Sequence, residues 1–343
     1  MKRPTIKDVA ADCAVSTATV SLVLRESPQI GVATKARVRE SMARLGYVYN
    51  RRAADMRSQN SRTLGLVVTN IRNPYFAELT MAIEQAAHDR GYTLLLGCSS
   101  DEVDRQRQLL ETMTERRIDG LIMLPASETT PGDLTGTLVA AGVPHVLVTR
   151  AIRGYDSDYV GANNLRSGRV IGQHLGDIGV GSVAFLGGVR NSLPREDRLR
   201  GVRQGLKPAG LRVSVDLSSA GDGRANGPEL VQQLLRRGPC PDAIVAYNDM
   251  YAFGVLNALR ANGIDPGGNV AVASFDNVPD ASHQVPGVTS ADGFPARVGT
   301  EAARLFLERL EDRDRPFKRV LIEPDLVVRD STKDWSAPRV RAG

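Results

Sequence analysis

From residue 64 onward the chain alternates two periodicities, and this restricts it to one broad architecture. Short, almost wholly apolar runs, LGLVVTN (64–70), TLLLGCS (93–99), GLIMLPA (120–126) and HVLVTR (145–150), are separated by amphipathic stretches over 75–90, 102–117 and 132–141. A second set follows, with strands SVAFLGG (182–188), AIVAYND (243–249) and VAVASFD (270–276) and helices over 165–176, 195–206, 228–237 and 250–262. A last helix, 296–311, precedes RVLIEPDLVVRDS (319–331). Apolar runs without polar alternation predict strands buried on both faces, hence parallel sheets covered by helices. Two such sets predict two doubly wound lobes.

Ligands on such sheets bind beyond the carboxyl ends of the strands. The polar residues there are Asn70, Ser99, Arg150, Asn164, Asn248, Asp249 and Asp276. Any one of them could equally cap the helix that follows it. Their convergence on a single inter-lobe cleft points to a ligand site.

Catalytic signatures are scarce. The sequence has no GxSxG, no HExxH and no Walker A run, and Gly179-Val180-Gly181 precedes a strand where a dinucleotide loop would follow one. His88, His145, His174 and His283 lack metal-ligand spacing, and Cys13, Cys98 and Cys240 are too few and too scattered for a disulfide framework or a zinc knuckle. All three cysteines are expected to be small buried hydrophobes. No metal, cofactor or enzymatic activity is expected.

The first 62 residues differ from the rest. They hold 12 Lys/Arg against 5 Asp/Glu, a surplus of seven, whereas the whole chain carries only +5. Within TIKDVAADCAVSTATVSLVL (5–24), Thr5 and Asp8 form a capping-box start, and Ile6, Val9, Ala10 and Cys13 recur at helical spacing. Ala14-Val15 is a break, and Ser16 is placed to cap a second helix with an apolar stripe of Val20, Val23 and Leu24. A third helix is expected over 34–45, ending before Gly46. Three short helices around one small core, with a tight junction between the second and third, fit a DNA-binding helix-turn-helix. The alternative is a three-helix bundle without a nucleic-acid role; the positive charge and the small outward residues of the second helix favour DNA. NRRAADMRSQNSR (50–62) reads as a short hinge helix with Arg51, Arg52 and Arg57 as phosphate contacts, grading into a polar linker.

The chain opens MKRPTIKDVA with no apolar stretch behind its positive residues, and no run approaches the roughly 18 residues of a membrane helix. A cytoplasmic protein is expected.

In this order of motifs the chain resembles the LacI/GalR family of transcriptional regulators. The resemblance rests on TIKDVAADCAVSTATVSLVL, LGYVYNRRAADM, LGLVVTN with NPYFAEL (73–79), RRIDGLIM (116–123), DRLRGVRQGL (197–206), AIVAYNDMYAFGVLNAL (243–259) and VAVASFDN (270–277), all in family order. It implies a small all-α helix-turn-helix head plus an α/β, periplasmic-binding-protein-like core of two doubly wound parallel-sheet lobes. The implied boundaries are 1–49 for the head, 50–61 for the hinge, 62–162 plus 292–323 and 163–291 plus 324–332 for the two lobes, and 333–343 for a tail. Without Leu heptads in that tail a homodimer is implied.

The implied function is a repressor that binds double-stranded DNA at a near-palindromic operator and is controlled by a small-molecule effector, a sugar or related metabolite, held between the lobes. Thr5, Ser16, Thr17, Ala18, Thr19, Ser21, Leu22, Asn50, Arg51, Ala53, Met56 and Arg57 would contact DNA. Thr17, Ala18 and Leu22 would read bases, and Met56 would stand where the family inserts a leucine wedge into the minor groove. Asn73, Tyr75, Phe76, Arg150, Asn163, Arg198, Asn248 and Asp276 would hold the effector. Two departures favour a more anionic effector: Thr149-Arg150 where many members have Asp-Arg, and Asn163-Asn164 where many have Asp-Asn. Trp335, the only tryptophan, is expected in the tail and away from any sugar ring. A transporter's solute-binding protein would lack the head, and an α/β enzyme with a regulatory head would need a nucleophile, metal or cofactor loop.

Overall fold

The computed structural model describes residues 4–24, 26–47, 61–221, 223–333 and 335. It falls into two compact units, Met1–Ser61 and Arg62–Gly343.

In the first unit, α1 (Ile6–Asp12), α2 (Thr17–Leu24) and α3 (Val32–Leu45) surround one small core. Val9, Ala10, Cys13, Val20, Val23 and Val38 fill it. Thr5 donates to Asp8 through both N–H and hydroxyl, 2.7 Å each. Ala14 turns the chain at φ 51°, and Ser16 Oγ accepts from Thr19 N at 3.0 Å, so the second helix starts where its cap predicts. Helix α3 begins two residues before the expected start and stops at Gly46, which takes the left-handed conformation.

The second unit holds two six-stranded sheets. The first has the order β11-β5-β4-β3-β1-β2, and every pairing in it is parallel. Its strands are β1 (Thr63–Val68), β2 (Thr93–Cys98), β3 (Gly120–Met123), β4 (His145–Val148), β5 (Asp158–Ala162) and β11 (Arg319–Ile322). The second has the order β12-β10-β9-β8-β6-β7, parallel except between β10 and β12. Its strands are β6 (Val183–Leu186), β7 (Val213–Leu217), β8 (Ala243–Ala246), β9 (Ala271–Asp276), β10 (Thr289–Asp292) and β12 (Leu326–Val327). The chain passes between the sheets three times: after β5, after β10 and between β11 and β12.

The helices that matter for the cleft are α4 (Pro74–His88), α5 (Val103–Glu115), α7 (Asn164–Asp177), α8 (Leu193–Leu206), α9 (Gly223–Leu235), α10 (Asp249–Ala261) and α12 (Pro295–Glu311). Between α5 and α7 lies the short α6 (Pro131–Leu134), which runs into a π-helical turn over Thr135–Val139 in place of the regular helix expected there. The short α11 (Asp280–His283) and α13 (Asp330–Lys333) complete the set.

Several elements correct the sequence reading. β5, β7 and β10 do not stand out as apolar runs. β5 is DYVGA, opening on an aspartate that is fully buried because Arg309, Arg315 and the Lys318 N–H all donate to it at 2.8–3.0 Å. β7 is a half-exposed edge strand. β10 is TSAD, whose buried hydroxyls bond Arg329 O, Thr332 and Asp249. Helix α9 starts at Gly223, before Pro228, because Gly223 and Gly227 let it press against Tyr251 and Gly254 of α10 with no room for a Cβ. Of the cysteines only Cys13 is fully buried; Cys98 and Cys240 are half-buried. Trp335 docks into the second sheet's core beside Phe185 and Phe275.

Candidate functional site

The head presents a polar surface at the start of α2. Ser16, Thr17 and Ala18 are exposed there, and Thr19, Ser21 and Leu22 are half-buried. Thr5 is exposed at the start of α1. Among the described residues of the head, Asp8, Asp12 and Glu26 are engaged internally. Asp12 pairs with Arg44 and Ser41, and Glu26 pairs with Arg39, whose guanidinium holds that carboxyl below its usual range. The exposed N-terminal turn of α2 therefore carries small polar side chains and no acid, which suits approach to a polyanion. Asn50, Arg51, Ala53, Met56 and Arg57 lie outside the described residues.

Between the two sheets lies a cleft of about 840 Å³. Thr69, Asn70, Ser100, Asp101, Thr149 and Arg150 reach it from the strand ends of the first sheet; Gly188, Val189, Tyr247, Asn248 and Asp276 reach it from those of the second. This is the carboxyl-end position that doubly wound sheets use for ligands. Asn73, Tyr75, Phe76, Arg150, Arg198, Asn248 and Asp276 all line it.

Arg198 organises the second lobe's wall. Its Nε donates to Asn164 Oδ1 (2.7 Å), Nη1 to Tyr247 O (2.7 Å) and Nη2 to Asp276 Oδ1 (2.9 Å). Burial pushes the Asp276 carboxyl up, while the Arg198 guanidinium and the Asn73 amide pull against it. Asn248 caps α10 by accepting from Tyr251 N at 3.1 Å, and Asn73 caps α4 by accepting from Tyr75 N at 3.0 Å. Tyr75 and Phe76 meet edge to face, centroids 5.5 Å apart. Burial, with the Asp276 charge nearby, raises the Tyr75 phenol well above its ordinary range, so it stays a neutral donor.

Asn163 does not line the cleft. It caps α7 by accepting from Arg166 N at 3.1 Å and donates to Glu323 at 2.8 Å, tying two of the inter-sheet passages together. Its neighbour Asn164 is the one that meets Arg198.

The sequence reading missed Arg72, Asp101, Arg105, Arg224, Tyr247 and Asp280, all of which line the cleft. Asp101 accepts from Arg150 Nη1 (2.8 Å), Ser127 N (3.0 Å) and Ser127 Oγ (2.6 Å). Ser100, Asp101, Thr149, Asp276 and Asn277 all have positive φ, between 51° and 97°. For β-branched Thr149 this is strained backbone, of the kind that clusters where a structure must aim side chains. The signal that could have found Asp101 is its place two residues beyond Ser99 at the end of β2.

Among the described residues no group of three or more His, Cys, Asp or Glu could hold a metal ion, and no helix is long and apolar enough to cross a membrane.

A helical head of this pattern and a two-sheet core open at its strand ends define a class of ligand-binding regulators. Comparisons with known proteins agree. The family model described as "Periplasmic binding proteins and sugar binding domain of LacI family" matches residues 61–329, and that of "Bacterial regulatory proteins, lacI family" matches residues 5–50. The ribose operon repressor of Escherichia coli strain K12 is 30% identical over 95% of this chain and 99% of its own. The HTH-type transcriptional repressor PurR of Mannheimia succiniciproducens is 29% identical over 96% and 98%. A solved structure of a CelR–cellobiose complex superposes with a TM-score of 0.71 at 29% identity, covering 96% of this chain and all of that one. The chain belongs to the LacI family. It is a DNA-binding transcriptional regulator with an effector-binding core, in a family made of regulators.

Proposed function

We propose that the chain represses its target genes as a cytoplasmic homodimer without enzymatic activity of its own, and that a small effector bound in the inter-lobe cleft sets its operator affinity. The observation that carries this reading is the cleft itself. Asn248 and Asp276 offer an amide and an acceptor at the strand ends of one sheet, Arg198 reaches them from α8, and Asn73, Tyr75, Phe76 and Arg150 line the other side. A ligand touching both walls favours one lobe arrangement over another, and only such differential affinity can shift an equilibrium. By linkage, operator and effector must alter each other's affinity by the same factor, commonly about 1–3 kcal/mol.

In this reading α2 enters the major groove of each operator half-site. Thr17, Ala18 and Leu22 read bases, with Leu22 suited to a thymine methyl, and Thr5, Ser16, Thr19 and Ser21 contact the backbone. Asn50, Arg51, Ala53, Met56 and Arg57 act at the operator centre. The relatives' names speak of ribose and cellobiose; the present chain takes a hydroxylated metabolite of comparable size.

The test is a gel-shift and footprint titration against the DNA upstream of its own gene and its neighbours. A near-palindromic footprint with steep salt dependence is expected. Equal affinity for random DNA would refute a specific regulator.

A further inference from the structure

The two walls of the cleft are not electrostatically alike. The second-sheet wall brings Arg198 and Arg224 with Asp276 and Asp280, a balanced set. Arg198 is wholly committed, its three nitrogens donating to Asn164, Tyr247 O and Asp276. What this wall leaves for a ligand is mainly neutral hydrogen bonding, from the Asn248 amide and the Tyr247 ring.

The first-sheet wall brings three arginines, Arg72, Arg105 and Arg150, against a single carboxylate, Asp101. Asp101 is turned inward: Ser127 N, Ser127 Oγ and Arg150 Nη1 use both its oxygens. Arg150 Nη1 is also held by Pro125 O at 2.5 Å. Among the described residues Arg150 donates through Nη1 alone, and its Nε is buried without a partner. Arg105 meets only the neutral Ser100 hydroxyl, at 3.0 Å, and Arg72 is exposed with no ion pair among the described residues. Asp101 thus fixes Arg150 through Nη1, and Nη2, which makes no bond among the described residues, is left for something else. Buried polar groups in a native structure are ordinarily satisfied, and guanidinium with a carboxylate or phosphate forms a short charge-assisted pair that a neutral acceptor does not match in geometry.

We infer that the effector is a hydroxylated small acid, whose carboxylate or phosphate docks on the first-sheet wall at Arg150, with Arg105 and Arg72 adding attraction, while its hydroxyls face Asn248 and Tyr247 on the opposite wall. This deepens the proposed function and rests on the cleft being the effector site. A neutral sugar would leave the Arg150 donors with weak acceptors and the surplus of two positive charges uncompensated.

Titration calorimetry on the full-length protein tests it with matched pairs: glucose against glucuronate and glucose 6-phosphate, and ribose against ribose 5-phosphate. At least one acidic member should bind about tenfold or more tightly than its neutral partner. The glucuronate and phosphate arms tell carboxylate from phosphate recognition. Arg150→Gln should erase that preference, with the thermal unfolding midpoint followed to confirm that the variant is folded. Neutral members binding as tightly as acidic ones, no acidic member binding at about 1 mM, or an acid preference surviving in Arg150→Gln would each overturn the inference. A gel shift on the same preparation separates the two levels: operator binding without acid recognition sinks only the effector class, whereas absent operator binding sinks the regulator reading.

Discussion

Arg198 and Asp276 form an ion pair in the floor of the cleft, Nη2 to Oδ1 2.9 Å, with each side chain only 7% exposed. The guanidinium lies between the rings of Tyr247 and Phe275, 5.0 and 4.7 Å from their centroids. Arg198→Ala would strand a buried carboxylate, which costs about 3–5 kcal/mol. The single variant would therefore lose both stability and effector response. Arg198→Met combined with Asp276→Asn removes both charges together and should recover most of the stability, but not the response. Urea unfolding of the three proteins, with effector titration of operator binding, checks this. A double variant that responds normally would make the pair purely structural.

What the sequence made legible follows from where apolar side chains sit. β1, β3, β4, β6, β8 and β9 are buried on both faces and announce themselves as unbroken apolar runs, as does the more exposed edge strand β2. β10 is equally buried, but its Thr289 and Ser290 hydroxyls are satisfied by Arg329, Thr332 and Asp249, all brought from elsewhere in the chain. Nothing local marks such a strand. In the cleft, Asn248 and Asp276 were readable as polar groups at strand ends, whereas Arg198, inside a helix, came only through the family resemblance. Asn163 and Asn164 could not be told apart, because which of two adjacent residues faces inward depends on where α7 starts. Asp101 and Arg105 depend on the left-handed turn at Ser100 and Asp101, which no periodicity encodes.

The Arg198 fork depends on how closely α7 and α8 approach. A Cβ at Gly201 would lie 2.1 Å from Leu165 O, and one at Gly168 would lie 2.1 Å from Arg198 O. These obstacles are backbone, so the helices themselves must separate. Gly201→Ala should cost about 1–3 kcal/mol and loosen the Asn164–Arg198 bond. A lower unfolding midpoint with weakened effector binding is expected, and Gly136→Ala, where a Cβ meets nothing within 4 Å, is the control.

Asp249 gives the core a pH dependence of defined sign. It is fully buried and accepts from Ser290 Oγ (2.8 Å), Val278 N (2.7 Å) and Ser274 Oγ. Burial, aided by the Asp276 charge, pushes its carboxyl up to about 7. The folded state therefore holds a proton that the unfolded chain has released above its ordinary range near 4. This contribution is complete below the unfolded value and is lost as pH rises towards and through 7. His145 and His174 act oppositely: burial lowers both, so their contribution is lost as pH falls below about 6.5. Asp249→Asn should remove only the first component. Unfolding midpoints from pH 5 to 8 should fall less steeply, or rise more, in the variant than in the native chain. Parallel curves would show that Asp249 does not titrate in this window.

At the operator, wedge and phosphate roles make separable predictions. Met56 is unbranched and apolar, suited to part a base step but neutral towards phosphate. In the proposed function Arg51 supplies a charge that releases counterions. Met56→Gly should weaken operator binding by about tenfold or more while leaving the slope of log affinity against log salt unchanged. Arg51→Gln should weaken operator and random DNA alike and reduce that slope by about one for each phosphate left unneutralised, about two per dimer. Salt titrations of both variants against a footprinted operator and a random duplex distinguish the roles. A slope that drops with Met56→Gly would mean that the side chain positions an arginine on the backbone and parts no bases.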